Sequence, residues 1–231
     1  MPVAEANFRT RYEFKGGDYS SHLMLLRRFP ERGEGRRVLD VGCAGGFLGE
    51  MLAARGYSVV GVDWPGTSTS PAIEFFGADL DDGLGALGGG FDYIVCADVL
   101  EHLRDPLRVL IECRQRLAPG GAIVASLPNS GHWYFRANIL AGRFPQDEKG
   151  LFDRTHLRFY MWDGWVELFA RSGLRIVSVE GTTTPFGLAL RSIEGSWLVR
   201  FLERVSYDLA RIWRRLFAYQ FVVVAKAEGE R

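Results

Sequence analysis

The sequence predicts an α/β protein built on a doubly wound, mostly parallel sheet. Three observations carry this. Short aliphatic and β-branched runs alternate with stretches of helical period along most of the chain. The runs are separated by Gly- and Pro-rich turns rather than by hairpin pairs. A glycine cluster, Gly42 to Gly46, stands between the first run and the first helical pattern.

In order, residues 36–41 (RRVLDV) read as the first strand. Phe47, Leu48, Met51 and Leu52 mark a helix that Gly56 stops. Residues 57–62 (YSVVGV) read as the second strand, ending at Asp63. A short helix is expected at 72–76, and a third strand region closing at Gly77–Leu80. Gly83–Gly90 reads as loop and 91–97 (FDYIVCA) as the fourth strand. A helix starts near Pro106 and runs to Leu117, APGG at 118–121 reads as a turn, and 122–127 (AIVASL) as the fifth strand. A helix at 161–172 precedes a sixth strand at 174–180, and 220–226 (QFVVVAK) is the last. Residues 1–35, 127–160 and 181–218 fall outside this rhythm. They are expected to cover the carboxyl ends of the strands, where open α/β sheets bind ligands.

The 231 residues suit one domain, 1–231. Apolar residues at 47% and charged residues at 24% exclude disorder as the main state. Twenty-eight Lys and Arg balance 28 Asp and Glu, which speaks against nucleic acid as partner. No apolar run approaches the roughly 20 residues of a bilayer span, and the first residues lack the apolar core of a secretion signal. Cys43, Cys96 and Cys113 are scattered, with no zinc-type spacing, so no metal is expected and the reading is of reduced thiols in a cytoplasm.

Asp40-Val41-Gly42-Cys43-Ala44-Gly45-Gly46 lets backbone approach a ligand closely. A dinucleotide fingerprint, G-x-G-x-x-G, fails at Ala44 and Phe47. Asp40 would sit badly beside a pyrophosphate and suits a cationic ligand better. Asp63 can accept from a ribose diol, and Asp79 from an exocyclic amine.

VLDVGCAGG, followed by GVD, ADL, FDYIVCADVLEHL and LAPGG, resembles the class I S-adenosylmethionine-dependent methyltransferases over about residues 36–180 and the last strand. The resemblance implies a Rossmann-like seven-stranded sheet with an antiparallel last strand, and S-adenosylmethionine as cofactor. It implies that Asp40, Gly42, Cys43, Gly45 and Gly46 line the methionine part. Asp63 would take the ribose, and Asp79 and Leu80 would frame adenine, with Trp64 stacking nearby. Ala97 and Asp98 would flank the sulfonium, with His102 of the Glu101-His102 pair beside them. Ala44 departs from the family's usual glycine.

PNSGHW…LFDRTHLRFY, from Pro128 onward, resembles a bacterial small-molecule subgroup of this family and also the MetW-like proteins of methionine biosynthesis. The first likeness implies methyl transfer to a small acceptor, an oxygen on a sugar, lipid-linked glycan or secondary metabolite. The second implies a regulatory partner of an acyltransferase. For an oxygen acceptor the base would be His156 or His132, oriented by Asp153; the same Asp153–His156 run can equally be a structural network. Tyr19 and His22 are further candidates, from a segment expected to close over the cofactor. Residues 196–217 follow a helical period with a basic face. Such a helix packs on its own domain or on a second copy more often than on an anionic membrane.

Overall fold

A computed structural model describes residues 19–67, 69–186 and 196–229. Helix α1 (Ser21–Leu26) leads into β1 (Arg37–Val41), α2 (Phe47–Ala54), β2 (Ser58–Asp63) and β3 (Glu74–Gly77). Then follow β4 (Phe91–Ala97), a 3-10 turn at Leu100–His102, α3 (Pro106–Arg116) and β5 (Leu117–Pro128). Helix α4 (Trp133–Leu140) and α5 (Trp162–Arg171) precede β6 (Leu174–Gly181). Helices α6 (Trp197–Ile212) and α7 (Arg214–Phe217) come before β7 (Gln220–Ala227).

The strands form one seven-stranded sheet in the order β3-β2-β1-β4-β5-β7-β6. Strands β1 to β5 pair in parallel, and β7 runs antiparallel to both β5 and β6. The order reverses at β1 and β4, which opens a crevice at their carboxyl ends. Both faces of the sheet are buried, as the unbroken apolar runs require. Leu39, Ile94, Ile123 and Phe221 pack on one face with Trp165 and Leu110. Val38, Val95, Val124 and Val222 pack on the other with Leu25 and Leu52. The alternation is the period of two of an extended chain.

Three expectations are corrected. Residues 74–77 are a strand, not the end of a helix: Val60 to Asp63 offer a parallel edge that Glu74 to Gly77 completes. The third strand therefore ends where it was expected to begin. The APGG segment does not leave the sheet, because β5 begins at Leu117, opposite Phe91, and absorbs the left-handed Gly120 as an irregularity. The late helix breaks at Trp213, whose extended-side backbone (φ −140°, ψ 73°) separates α6 from α7. Residues 1–18 of the expected N-terminal cover, and 187–195 of the late cover, lie outside the described residues.

Candidate active site

The loop after β1 turns on three left-handed residues: Gly42 (φ 74°), Ala44 (φ 47°) and Gly46 (φ 77°). A Cβ at Gly42 would lie 2.6 Å from Val99, so the position requires glycine twice over. Gly45 faces open space. Asp63, at the carboxyl end of β2, clamps the loop. Its Oδ2 accepts from the Ala44 N–H at 2.8 Å and its Oδ1 from the Trp64 N–H at 2.7 Å. Each oxygen keeps a second lone pair, so the clamp leaves capacity for a ribose diol. Cys43 turns its buried thiol under the loop against Gly61, where a Cβ would stand 2.7 Å from the sulfur. Burial pushes that thiol well above its ordinary range.

Asp40 is almost fully buried beneath the loop, and its Oδ2 has no hydrogen-bond partner. Burial first, and the nearby Asp63 charge second, push its carboxyl up to about 7, against a lowering hydrogen bond from Gly49. A buried carboxyl with an unmatched oxygen suits a cationic ligand. Asp79 accepts from the Asp81 N–H at 2.9 Å and shapes the turn after β3. Leu80 turns into the core rather than outward, while Trp64 stands about half exposed.

At the end of β4, Ala97 leads into Asp98, a left-handed residue (φ 52°). Asp98 Oδ1 accepts from the Ser126 hydroxyl and from Gln220 Nε2 at 2.9 Å, while the Ser126 oxygen accepts the Asp98 N–H at 2.9 Å. β5 and β7 thus hold the Asp98 carboxylate in place. Glu101, buried just beyond, accepts the Leu157 and Arg158 N–H groups on its backbone oxygen at 2.9 and 3.1 Å, which ties the 151–161 cover to β4.

The four histidines separate by environment. His132 is fully buried, caps α4 by accepting the Tyr134 N–H on Nδ1 (3.3 Å), and lies 3.3 Å from the Thr184 hydroxyl through Nε2. Burial lowers it to about 4. Both ring nitrogens have a partner, an arrangement that suits a structural cap. His22 is buried in α1 against Phe47, with ring centroids 4.9 Å apart, and Tyr19 stacks on Tyr207 at 4.5 Å. Both pack the N-terminal segment onto the domain.

His102 and His156 meet edge to face with centroids 4.8 Å apart. His156 is lowered to about 4 by burial and then by His102, and its Nε2 stands 3.9 Å from Glu101 Oε1. His102 Nδ1 faces the Thr155 carbonyl at 3.2 Å and the Thr155 hydroxyl at 3.1 Å. Thr155 in turn donates to Asp153 Oδ1 from its hydroxyl (2.6 Å) and its N–H (2.8 Å). Asp153 therefore reaches His102 through Thr155, and its backbone carbonyl oxygen accepts the His156 backbone N–H at 3.0 Å. Glu101, His102 and His156 also bring three potential metal-ligand atoms within 4.8 Å of one another, a cluster that the search for zinc-type spacing did not reveal. Sequence reasoning missed Ser126 and Gln220, and saw Thr155 only as part of a structural network. The available signal was a polar residue inside an apolar run: Ser126 in AIVASL and Gln220 before FVVV.

A seven-stranded sheet with an antiparallel seventh strand, a left-handed glycine loop after β1 and an acid closing β2 defines an S-adenosylmethionine-dependent methyltransferase. The comparisons agree. Residues 19–179 match the family model described as a methyltransferase domain, and the chain belongs to that family. It is 33% identical over 193 residues to the ubiquinone biosynthesis O-methyltransferase of Cereibacter sphaeroides, covering 78% of this chain and 75% of that one. An S-adenosylmethionine-dependent methyltransferase from Archaeoglobus fulgidus shares the fold with a TM-score of 0.63 at 20% identity, over 95% of this chain and 99% of that one. Phosphoethanolamine N-methyltransferase 2 of Haemonchus contortus, solved with S-adenosyl-L-methionine, shares it with a TM-score of 0.60 at 17% identity, over 94% and 54%. The residues described above fit that cofactor: Asp40 supplies an unmatched buried oxygen for a cation, Gly45 leaves space, and Asp63 keeps acceptor capacity.

Proposed function

We propose that the chain methylates a hydroxyl oxygen of a small apolar acceptor, with His102 as the base. Bound S-adenosylmethionine supplies an electrophilic methyl group on a sulfonium. The carrying observation is the His102–Thr155 contact. Nδ1 faces a carbonyl oxygen and must donate its proton there, so the neutral ring carries its lone pair on Nε2. Thr155, held by Asp153, fixes that tautomer and the ring's orientation. His102 would accept the hydroxyl proton as the oxygen takes the methyl carbon and the carbon–sulfur bond breaks to leave a neutral thioether. Asp98, held by Ser126 and Gln220, keeps a negative edge on the same crevice. His156, already lowered to about 4, holds a proton poorly near neutrality and serves as the packing partner of His102.

The apolar acceptor is supported by the cover. Phe135, Phe144, Phe152 and Phe159 cluster with ring centroids from 4.5 to 6.1 Å apart, and Phe144 and Phe159 remain partly exposed. A surface of this kind suits an aromatic or lipid-linked acceptor better than a free sugar. The relatives named as O-methyltransferases of ubiquinone biosynthesis support the oxygen acceptor. The regulatory alternative draws no support from these relatives.

The test offers substituted phenols with a labelled methyl donor. The expected product is the methyl ether, and His102→Ala should lower turnover by about 10²–10⁴-fold with S-adenosylmethionine affinity within twofold of the parent. Unchanged turnover in His102→Ala, or methylation of amines in preference to hydroxyls, would overturn the reading.

A further inference from the structure

Helix α6 is mounted with its apolar face outward. Its inward side is made of Val199, Ser206 and Ala210, all buried, with Tyr207 donating to Glu180 and the Ser206 hydroxyl accepting the Thr184 N–H at 3.1 Å. These are small or polar contacts, and they hold the helix to the end of β6. The large apolar residues take the opposite arc. Trp197 (73% exposed), Phe201 (56%) and Val205 follow at four-residue spacing, and Ile212 (82%) continues the same arc. Trp213 (57%) stands at the helix end. Of the two expected arrangements, packing on its own domain or on a second copy, the described residues do not bury the stripe on the domain itself.

The charges bordering the stripe are mostly basic, with Asp208 the acid among them. Arg200, Arg204 and Arg211 are exposed along one edge of the arc, with Arg214 and Arg215 just past the helix. Asp208 pairs with Arg204 at 3.4 Å, and Arg215 is engaged with Asp163 at 2.7 Å. Because the chain as a whole carries no net charge, this basic edge is a local asymmetry and not a reflection of overall composition. No helix of the described residues is long and apolar enough to cross a membrane. An apolar arc rimmed by arginine and ending in exposed tryptophans is the arrangement that lies in the plane of a lipid–water interface.

The geometry points to α6 as an in-plane docking helix for an anionic lipid surface. The stripe enters the headgroup region and the arginines face the lipid phosphates. The helix sits on the strand-end side of the sheet. Ser206 binds Thr184, whose hydroxyl contacts His132, and Asn129 Nδ2 donates to the Arg215 carbonyl oxygen at 3.2 Å. The docking element is thereby joined to the acceptor cover. This inference stands independently of the acceptor proposed above.

Co-sedimentation with vesicles tests it. The full chain should bind phosphatidylcholine vesicles containing about a quarter phosphatidylglycerol, bind pure phosphatidylcholine weakly, and lose binding as salt rises. Phe201→Asp with Ile212→Asp should abolish binding. Arg200→Glu with Arg211→Glu should weaken it about tenfold or more. S-adenosylmethionine affinity, measured on each variant, reports that the domain is intact. Failure of the parent chain to bind anionic vesicles would overturn the inference, as would equal binding to neutral ones. So would a stable dimer that Phe201→Asp converts to monomer without any vesicle binding, since the stripe would then belong to a second copy. Should the apolar variants not fold, the arginine variant and the salt dependence of the parent still decide.

Discussion

The two halves of the crevice are built by different means. On the β1–β2 side the ligand-facing surface is backbone, shaped by left-handed loop residues and held by one carboxylate, Asp63, that grips the Ala44 and Trp64 amides. On the β4–β5 side stands a side-chain relay, Asp153 to Thr155 to His102, with His156 edge to face against His102. A backbone surface depends on which residues tolerate its dihedral angles. A side-chain relay depends on tautomers and caps. The first tolerates few substitutions and announces itself through glycine. The second can be built from many residue combinations.

His132 provides the sharpest way to break this contrast. If it is a cap, His132→Ala should cost about 1–2 kcal/mol of stability while turnover per folded molecule survives. Urea unfolding beside a turnover assay checks it, and lost turnover with unchanged stability would return His132 to the chemistry.

A smaller effect concerns pH. His132 and His156, lowered to about 4 from 6.5, add stability that is complete above pH 6.5 and lost as pH falls toward 4, because the unfolded chain takes up protons first. Asp40, raised to about 7 from 3.8, works in the opposite sense: its contribution is complete at low pH and lost as pH rises through about 7. In Asp40→Asn the offsetting contribution is gone, so thermal melts should show a steeper loss between pH 6.5 and 4 than in the parent. An unchanged slope would mean that Asp40 is ionised throughout.

The smallest effect tests the loop itself. Ala44 holds a left-handed backbone that costs an L-residue about 1 kcal/mol or more. Ala44→Gly should relieve this, offset by the greater freedom of glycine when unfolded, for a net change below about 1 kcal/mol. Calorimetry should then show S-adenosylmethionine affinity within twofold of the parent.

The contrast also explains what could be read from the sequence. The glycine loop and most of the strands were legible because each follows from a local rule: a turn needing glycine, or an extended aliphatic run bounded by turn residues. The strand at 74–77 was not, since Glu74 to Gly77 become a strand only when β2 presents an edge. The histidines were visible as residues but not as roles. His132 becomes a cap and His102 an oriented imidazole only through Thr184 and Thr155, which lie 52 and 53 positions away along the chain. The late helix showed its amphipathic pattern plainly, but which face met the domain was decided by Thr184 and Glu180.

The central claim is that Asp63 both clamps the loop and receives the cofactor. Titration calorimetry of S-adenosylmethionine against Asp63→Ala tests it most directly. Loss of the charge-assisted bonds, at roughly 1.5–3 kcal/mol each, predicts affinity weaker by about a hundredfold or more. Affinity equal to the parent's would contradict the account and place the cofactor elsewhere.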